Sequence, residues 1–364
     1  SIVAVANEVL KERAQRPMRT YSLARPRGSD CLESHRIYAT LGHLGLSGTQ
    51  IMTDEAGSMI DQLDADLAEP FDGQMLFLKA IYEAARNDGV KVVLDGAVGD
   101  IVFNAGAYIR RLLRSGRIGQ AWQEIVGEQA YWGLPPSASS LVRHLGGAFA
   151  PEVAKVLLRG PRQHHRERGF IKASLISPEF AERINIEGRL ERMRETFSGL
   201  QSEDPALVRI RKIRPCLTAG RERYARIAAS AGVEGRDPFT DQRVVSFCSR
   251  LPDSQVARYG WPKFLLRKAM RGRLPDEVRW GREKPHIGYY LSENYIRMEK
   301  SRSELSLDRL LASLKNYVDP TALRAAWSEF DSGKHEENIL TAHILALWLE
   351  NTVTRPVVKG EKFG

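Results

Sequence analysis

Cysteine is scarce in this chain and widely scattered. The 364 residues include three, Cys31, Cys216 and Cys248, with no CxxC pair and no metal-ligand spacing. That excludes a disulfide framework and a cysteine zinc site, and it points to a reducing, cytoplasmic setting. Long apolar runs are also missing. None approaches the ~18–20 residues of a membrane span, and no signal-peptide pattern is visible, so no membrane partner is expected. There is no internal repeat and no low-complexity tract. Acid falls short of base, 45 Asp and Glu against 54 Lys and Arg, for a net charge of +9. Runs such as Arg162 to Arg168 and Arg209 to Arg214 carry the excess. Such a balance suits an anionic ligand or a nucleotide, although a solvated basic helix face gives the same pattern. The aromatic–basic interleaving of a nucleic-acid surface is absent, which argues against that partner.

What is present reads as an ordinary globular protein, 43% hydrophobic and 27% charged. A helical pattern starts at the first residue, with Ile2, Val5, Ala6, Val9 and Leu10 on one face. An opening of this kind resembles the middle of a protein. Arg19 to Ala24 reads as a strand between Pro17 and Pro26, Glu33 to Leu44 as a helix, and Gln50 to Thr53 as a short strand. Phe77 to Asn87 is a helix that ends at Gly89. Val90 to Leu94 then forms a β-branched run, the signature of a strand buried on both faces. The order αβαβαβα with short connections indicates a parallel sheet with helices on both faces.

The run Val90 to Phe103 organises the rest. After its strand come Asp95-Gly96 and Gly99-Asp100, and then Ile101, Val102, Phe103, Tyr108, Ile109, Leu112 and Leu113 at roughly helical spacing. A loop at the carboxyl end of a strand is where open α/β sheets bind ligands. Small glycines there let backbone approach a phosphate, and a carboxylate can hold Mg²⁺. An ordinary βα turn with a capping aspartate fits the same residues.

From Tyr108 onward no strand stands out, and amphipathic helices are broken at Pro135-Pro136 and at Gly160 to Gly169. Helical character continues over Pro178 to Thr196 and Asp204 to Ile213. The adjacent His164-His165 cannot both face one metal from a helix and fit a solvated loop. Further on, Glu234-Gly-Arg236 reads as a loop with a charge pair, and Asp241 as the N-cap of the helix after it. Lys284, between Arg282 and His286 and ahead of Gly288, is either a phosphate-reaching ammonium or a surface lysine.

Five blocks stand in order: Asp-Gly-x-x-Gly-Asp at 95–100, Gly-Val-Glu-x-Arg-x-Pro-Phe-x-Asp at 232–241, Lys-x-x-Leu-Arg-x-Ala at 263–269, Leu-Pro-x-x-Val at 274–278 and Arg-x-Lys at 282–284. Their order and spacing resemble the synthetase domain of the glutamine-hydrolysing asparagine synthetase family, over nearly the whole chain. The helices of roughly 115–210 match only in being helical.

The resemblance implies an α/β fold, a parallel sheet of the adenine nucleotide α-hydrolase (PP-loop ATPase) type with a large, mostly helical remainder. It implies a nucleotide-binding part over 1–115, a helical insertion over 116–215 and a C-terminal helical part over 216–364 that completes the site. The implied chemistry is attack of a carboxylate on the α-phosphate of ATP, followed by displacement of AMP by ammonia or an amine. By the same resemblance, backbone around Leu23 lines the adenine site and Asp95 and Gly96 touch the nucleotide. Asp100 holds Mg²⁺, and Lys284 stabilises charge on the phosphates. Arg236 and Asp241 belong to structure.

Three departures from the family pattern bear on the substrate. The pyrophosphate loop, Ser-Gly-Gly-x-Asp-Ser, is absent and is expected just before Ser1, together with a central strand. The chain then reads as a fragment, and a glutaminase domain upstream would be a partner in the same protein. Ala97 stands where the family has a glutamate that serves aspartate activation, and Asp95 replaces the usual serine. The family as a whole favours aspartate and asparagine synthesis, whereas both changes favour another carboxylate, small or peptidic, such as the acidic side chain activated by the related lasso-peptide cyclases. A degenerate, non-catalytic nucleotide binder is a further alternative.

Overall fold

The computed structural model describes residues 1–14, 17–53, 69–70, 72–135, 137–150, 169, 171, 173–198, 204–210, 215–282, 287–303, 305–330 and 336–354. Lys284, His164-His165, the Arg162–Arg168 run and Arg211 to Arg214 lie outside the described residues.

The first helix, α1 (Ile2–Glu12), leads into β1 (Tyr21–Ala24), α2 (Leu32–Leu44) and β2 (Thr49–Met52). Next come α3 (Leu76–Asn87), β3 (Val92–Leu94), the single turn α4 (Gly99–Val102), α5 (Tyr108–Arg114), α6 (Ile118–Tyr131) and α7 (Ala138–Phe149). The expected alternation of helix and strand is therefore present through residue 102. Two short-range devices set its boundaries. Gly45 takes a left-handed conformation at φ 65° to stop α2, and Ser137 caps α7 by accepting from the Ser140 N–H.

Chain order continues with α8 (Pro178–Arg183), α9 (Ile186–Ser198), α10 (Pro205–Ile210) and α11 (Pro215–Ser230). After them stand β4 (Glu234–Arg236), α12 (Gln242–Ser249), α13 (Asp253–Val256) and a tight hairpin of β5 (Ala257–Arg258) and β6 (Trp261–Pro262). The remainder is helical: α14 (Phe264–Ala269), α15 (Asp276–Arg279), α16 (Gly288–Ser301), α17 (Leu307–Ser313), α18 (Pro320–Phe330) and α19 (Glu336–Thr354).

Strand pairing corrects two sequence expectations. β1 pairs with β2 in parallel, Leu23 opposite Ile51, whereas β3 pairs in parallel with β4, so that Val93 lies opposite Gly235. Glu234 to Arg236 is thus a strand and not a loop. Three residues with a central glycine carry no apolar alternation, so nothing in the sequence marked them as one. β3 is also less covered than its β-branched run suggested, with Val92 40% and Leu94 42% exposed. Its only ladder among the described residues is the one to β4. Among the described residues β1 and β3 share no ladder, and the parallel pairs do not merge into the one sheet expected.

The apolar stripe of α1 also departs from expectation. Ala4 and Asn7 are its buried residues, while Val5 and Val9 are exposed. The main core instead lies where β1 and β2 meet α3 and the C-terminal helices: Leu23, Ile51, Leu76 and Ala80 join Leu291, Tyr295, Ile296, Leu310, Leu323, Phe330 and Ile339. A smaller core under α5, α6 and α7 contains Tyr108, Ile109, Leu113, Ala121, Ile125 and Ala148. Arg209, at the head of a run that could have been a solvated basic face, is 4% exposed. Its guanidinium donates to the carbonyls of Cys248 and Ser249 and, at 2.6 Å, to Asp253, which also receives Arg111 at 2.6 Å. One carboxylate so joins α5, α10 and α13. Cys31 and Cys248 are free and buried, and burial pushes the Cys248 thiol up. Among the described residues no helix is long and apolar enough to cross a membrane.

Candidate active site

The loop that follows β3 is shaped by the segment 232–241. Asp95 donates its backbone N–H to the Arg236 carbonyl at 2.9 Å, which extends the β3–β4 ladder into the loop. The Asp95 carboxylate closes its own turn by accepting from the Ala97 N–H at 3.1 Å and forms an ion pair with Arg221 at 3.0 Å. Asp237, buried, accepts from the Val98 N–H at 3.1 Å and from the Phe239 N–H at 2.9 Å. Burial pushes the Asp237 carboxyl above the ordinary carboxylate range, with the Asp95 charge adding to the effect.

Phe239 explains the second glycine. A Cβ on Gly99 would stand 3.0 Å from its ring, and one on Gly96 would touch both Phe239 and Ile2. The Phe239 ring in turn meets Phe103 edge-on at 5.8 Å. Gly99 therefore has a packing role on the loop's inner side. Arg236 and Asp241 are structural, as expected. Arg236 contributes its carbonyl and an exposed pair with Glu234, and Asp241 caps α12 by accepting from the Arg243 N–H at 2.8 Å.

Beyond the loop, Asp100 forms an ion pair with Lys263, which belongs to the 263–269 block. Lys263 sits in a left-handed conformation at φ 56°, an uncommon choice for a long side chain and one found at functional sites. Ser1 is close by. The start of α1, the 95–100 loop and Lys263 thus converge.

A cavity of about 710 Å³ opens from this point. Asp100 and Lys263 stand in its wall with Tyr108, Arg110, Glu124, Glu128, Tyr131, His144, Arg267 and Arg282. Backbone contact builds one side of it. Gly127 of α6 and Gly260 of the hairpin approach so closely that a Cβ on either would overlap the other's main chain. Gly260 also donates its N–H to Glu124 at 3.1 Å. On α6, one turn apart, stand Glu124 and Glu128; His144 of α7 meets Glu128 at 3.3 Å. The opposite side carries Arg267, whose guanidinium donates to the carbonyls of Pro262 and Gly281 and lies over the Trp261 ring at 5.1 Å. Burial lowers the Arg267 pKa. Arg282 donates to the Ala130 carbonyl at 3.1 Å, and its own carbonyl accepts from the Tyr131 hydroxyl at 2.9 Å.

The expected site residues separate accordingly. Asp100 lies at the cavity, Gly96 and Asp95 lie in the loop beside it, and Leu23 is a buried core residue of β1. Lys284 is outside the described residues; the Arg282 carbonyl accepts from Tyr131, and the Ile287 N–H donates to Glu33 at 2.7 Å. Lys263, Glu128 and His144 were missed. Lys263 opens the 263–269 block, where its residue type alone does not set it apart. Glu128 and His144 lie in helices where nothing local distinguishes them. Among the described residues no three His, Cys, Asp or Glu side chains gather as a metal site. Asp100 is the carboxylate at this point that could hold a divalent ion.

A profile of the asparagine synthase family matches residues 1–350 of the 364. No curated protein matches the chain. With the profile spanning almost its whole length, and with the blocks at 95–100, 232–241 and 263–269 brought together in space, the chain belongs to the asparagine synthase family.

Proposed function

We propose that the chain adenylates a substrate carboxylate with ATP and passes the acyl group to an amine. Membership of a family of ATP-dependent amide-forming ligases supports this, and the carrying observation is the Asp100–Lys263 pair where the loop meets the cavity. In the reaction a carboxylate oxygen attacks the α-phosphorus and pyrophosphate leaves. The amine nitrogen then attacks the acyl carbon, the carbon–oxygen bond to AMP breaks, and two protons are released for each ammonium consumed.

Such chemistry asks for positioning and for charge neutralisation. Backbone around Leu23 and at Asp95-Gly96 would receive the nucleotide, and Lys263 and Lys284 would face its phosphates. Asp100 would hold a Mg²⁺ ion, which supplies neutralising charge between phosphates when bound. The acyl substrate would enter through the cavity. A volume of about 710 Å³ lies within the ~300–1,000 Å³ of sites for drug-sized ligands and exceeds what a four-carbon amino acid fills. Together with Ala97 in place of the family's glutamate, it favours a carboxylate on a larger molecule, such as a peptide's acidic side chain, and a macrolactam-forming reaction over asparagine synthesis. A glutaminase domain upstream would be needed only if ammonia is the acceptor.

ATP–pyrophosphate exchange on the full-length protein tests the reading, with aspartate and with an acidic peptide as alternative carboxylates. Peptide-dependent exchange supports it, and aspartate-dependent exchange returns the substrate to asparagine synthesis. Exchange with neither, alongside tight ATP binding, would favour a non-catalytic nucleotide binder.

A further inference from the structure

The proposed reaction has a second substrate, the amine, and most of the cavity's fixed charges are wrong for it. Arg110, Lys263, Arg267 and Arg282 all repel an ammonium ion, and the Arg110 guanidinium lies against Gly147 of α7. On the α6 side the wall changes sign. Glu124 is buried and already accepts from the Gly260 N–H, and Asp100, beside Lys263, belongs to the phosphate side of the proposed site. Glu128 is different. Its side chain is 40% exposed, lines the cavity, and is oriented by His144 at 3.3 Å, while His144 itself is mostly covered.

A carboxylate only accepts hydrogen bonds, so a neutral His144 presents its Nε2–H to Glu128. Its Nδ1 is buried without a hydrogen-bond partner. The helices do not need this pair in order to pack. Ala121, Ile125 and Ala148 join them with Tyr108, Ile109 and Leu113, and a half-exposed ion pair adds little to that. Arg143, on α7, also acts on the Glu128 charge.

Resting on the ligase reading above, we infer that Glu128, held in place by His144, binds the attacking amine in its ammonium form, which makes this wall the acceptor subsite and His144 a positioning residue. The ligand class is a primary ammonium ion carried on an organic group. The arginine side of the same cavity is left to anionic parts of the acyl substrate.

n-Butylammonium and its uncharged counterpart n-butanol are the probes, titrated into the full chain and followed by the fluorescence of Trp132, which lines the cavity. Wild type is expected to prefer the ammonium by about tenfold, the ratio that ~1.4 kcal/mol produces. Glu128→Gln is expected to remove the preference without lowering Tm. His144→Leu is expected to lose most of it, and His144→Gln, which retains an N–H donor for the carboxylate, to recover it. A wild type without preference, or a Glu128→Gln variant that retains it, would overturn the inference. ATP–pyrophosphate exchange by the wild type is read separately. If exchange fails with every carboxylate while the ammonium preference responds to Glu128, the ligase reading falls and the ammonium subsite stands.

Discussion

Gly127 and Gly260 lie backbone against backbone where α6 crosses the β5–β6 hairpin. Gly260 is held there at φ 75°, so its missing side chain matters twice, for space and for conformation. Gly260→Ala is expected to destabilise the protein by about 1–3 kcal/mol, as overpacking against an immovable backbone does. Gly127→Ala, with an ordinary helical backbone, suffers the spatial part alone. Both should enlarge the cavity mouth and weaken binding of the acyl substrate. Thermal melts of the two variants check the order, with Gly260→Ala the lower.

Lys263 combines a left-handed backbone with an ammonium at the site, and two substitutions separate these. Lys263→Ala keeps the conformational cost and removes the charge, whereas Lys263→Gly removes both. Adenylation, read as ATP–pyrophosphate exchange, is expected to fall by about 10² in either, the scale seen when one preorganised charge-stabilising group is lost. Tm is expected to be higher for the glycine variant than for the alanine one. Equal exchange in wild type and variants would remove Lys263 from the site.

Asp237 uses both carboxylate oxygens, one for Val98 and one for Phe239. Asparagine offers a single acceptor oxygen, so Asp237→Asn leaves one of these N–H groups without a partner. A loss of about 1–3 kcal/mol is expected, the cost of an orphaned donor. A chemical-denaturation curve measures it, and exchange activity should fall because the 95–100 loop loses its support.

Asp241 gives a pH signature. Its hydrogen bond from Arg243, backed by the N–H groups it caps, holds its carboxyl from the ordinary 3.8 down to about 2. A carboxylate with a lowered folded-state pKa stabilises the fold above the ordinary value, and that stabilisation is lost as pH falls through the folded one. The Tm difference between wild type and Asp241→Ala should therefore be constant at neutral pH and shrink between 3.8 and about 2. A difference independent of pH would assign the cap to geometry alone.

The sequence disclosed the parts of this architecture that depend on local periodicity and turn chemistry. The helix–strand alternation to Val102, the helix end at Gly89 and the cap at Asp241 are of this kind. Asp100 stood out only through the block it closes, because a capping aspartate in an ordinary βα turn reads the same in sequence. Pairings between distant segments were not legible. Glu234-Gly-Arg236 becomes a strand only because β3 offers it a free edge. Arg209 sits at the head of a basic run and yet is buried, since Asp253 and three backbone oxygens are waiting for it. The Glu128–His144 pair depends on how α6 meets α7, which one-dimensional spacing does not encode.

The dependence of the 95–100 loop on Arg221, Arg236, Asp237 and Phe239 has a consequence in time. A ribosome that has released only the first half of the chain has made the loop but none of the groups that shape it. Until the segment through Phe239 emerges, the loop's amides have no Asp237 to donate to. The loop's final shape is thereby deferred until that segment has been made, and a product cut short before it would hold the 95–100 sequence without its structure.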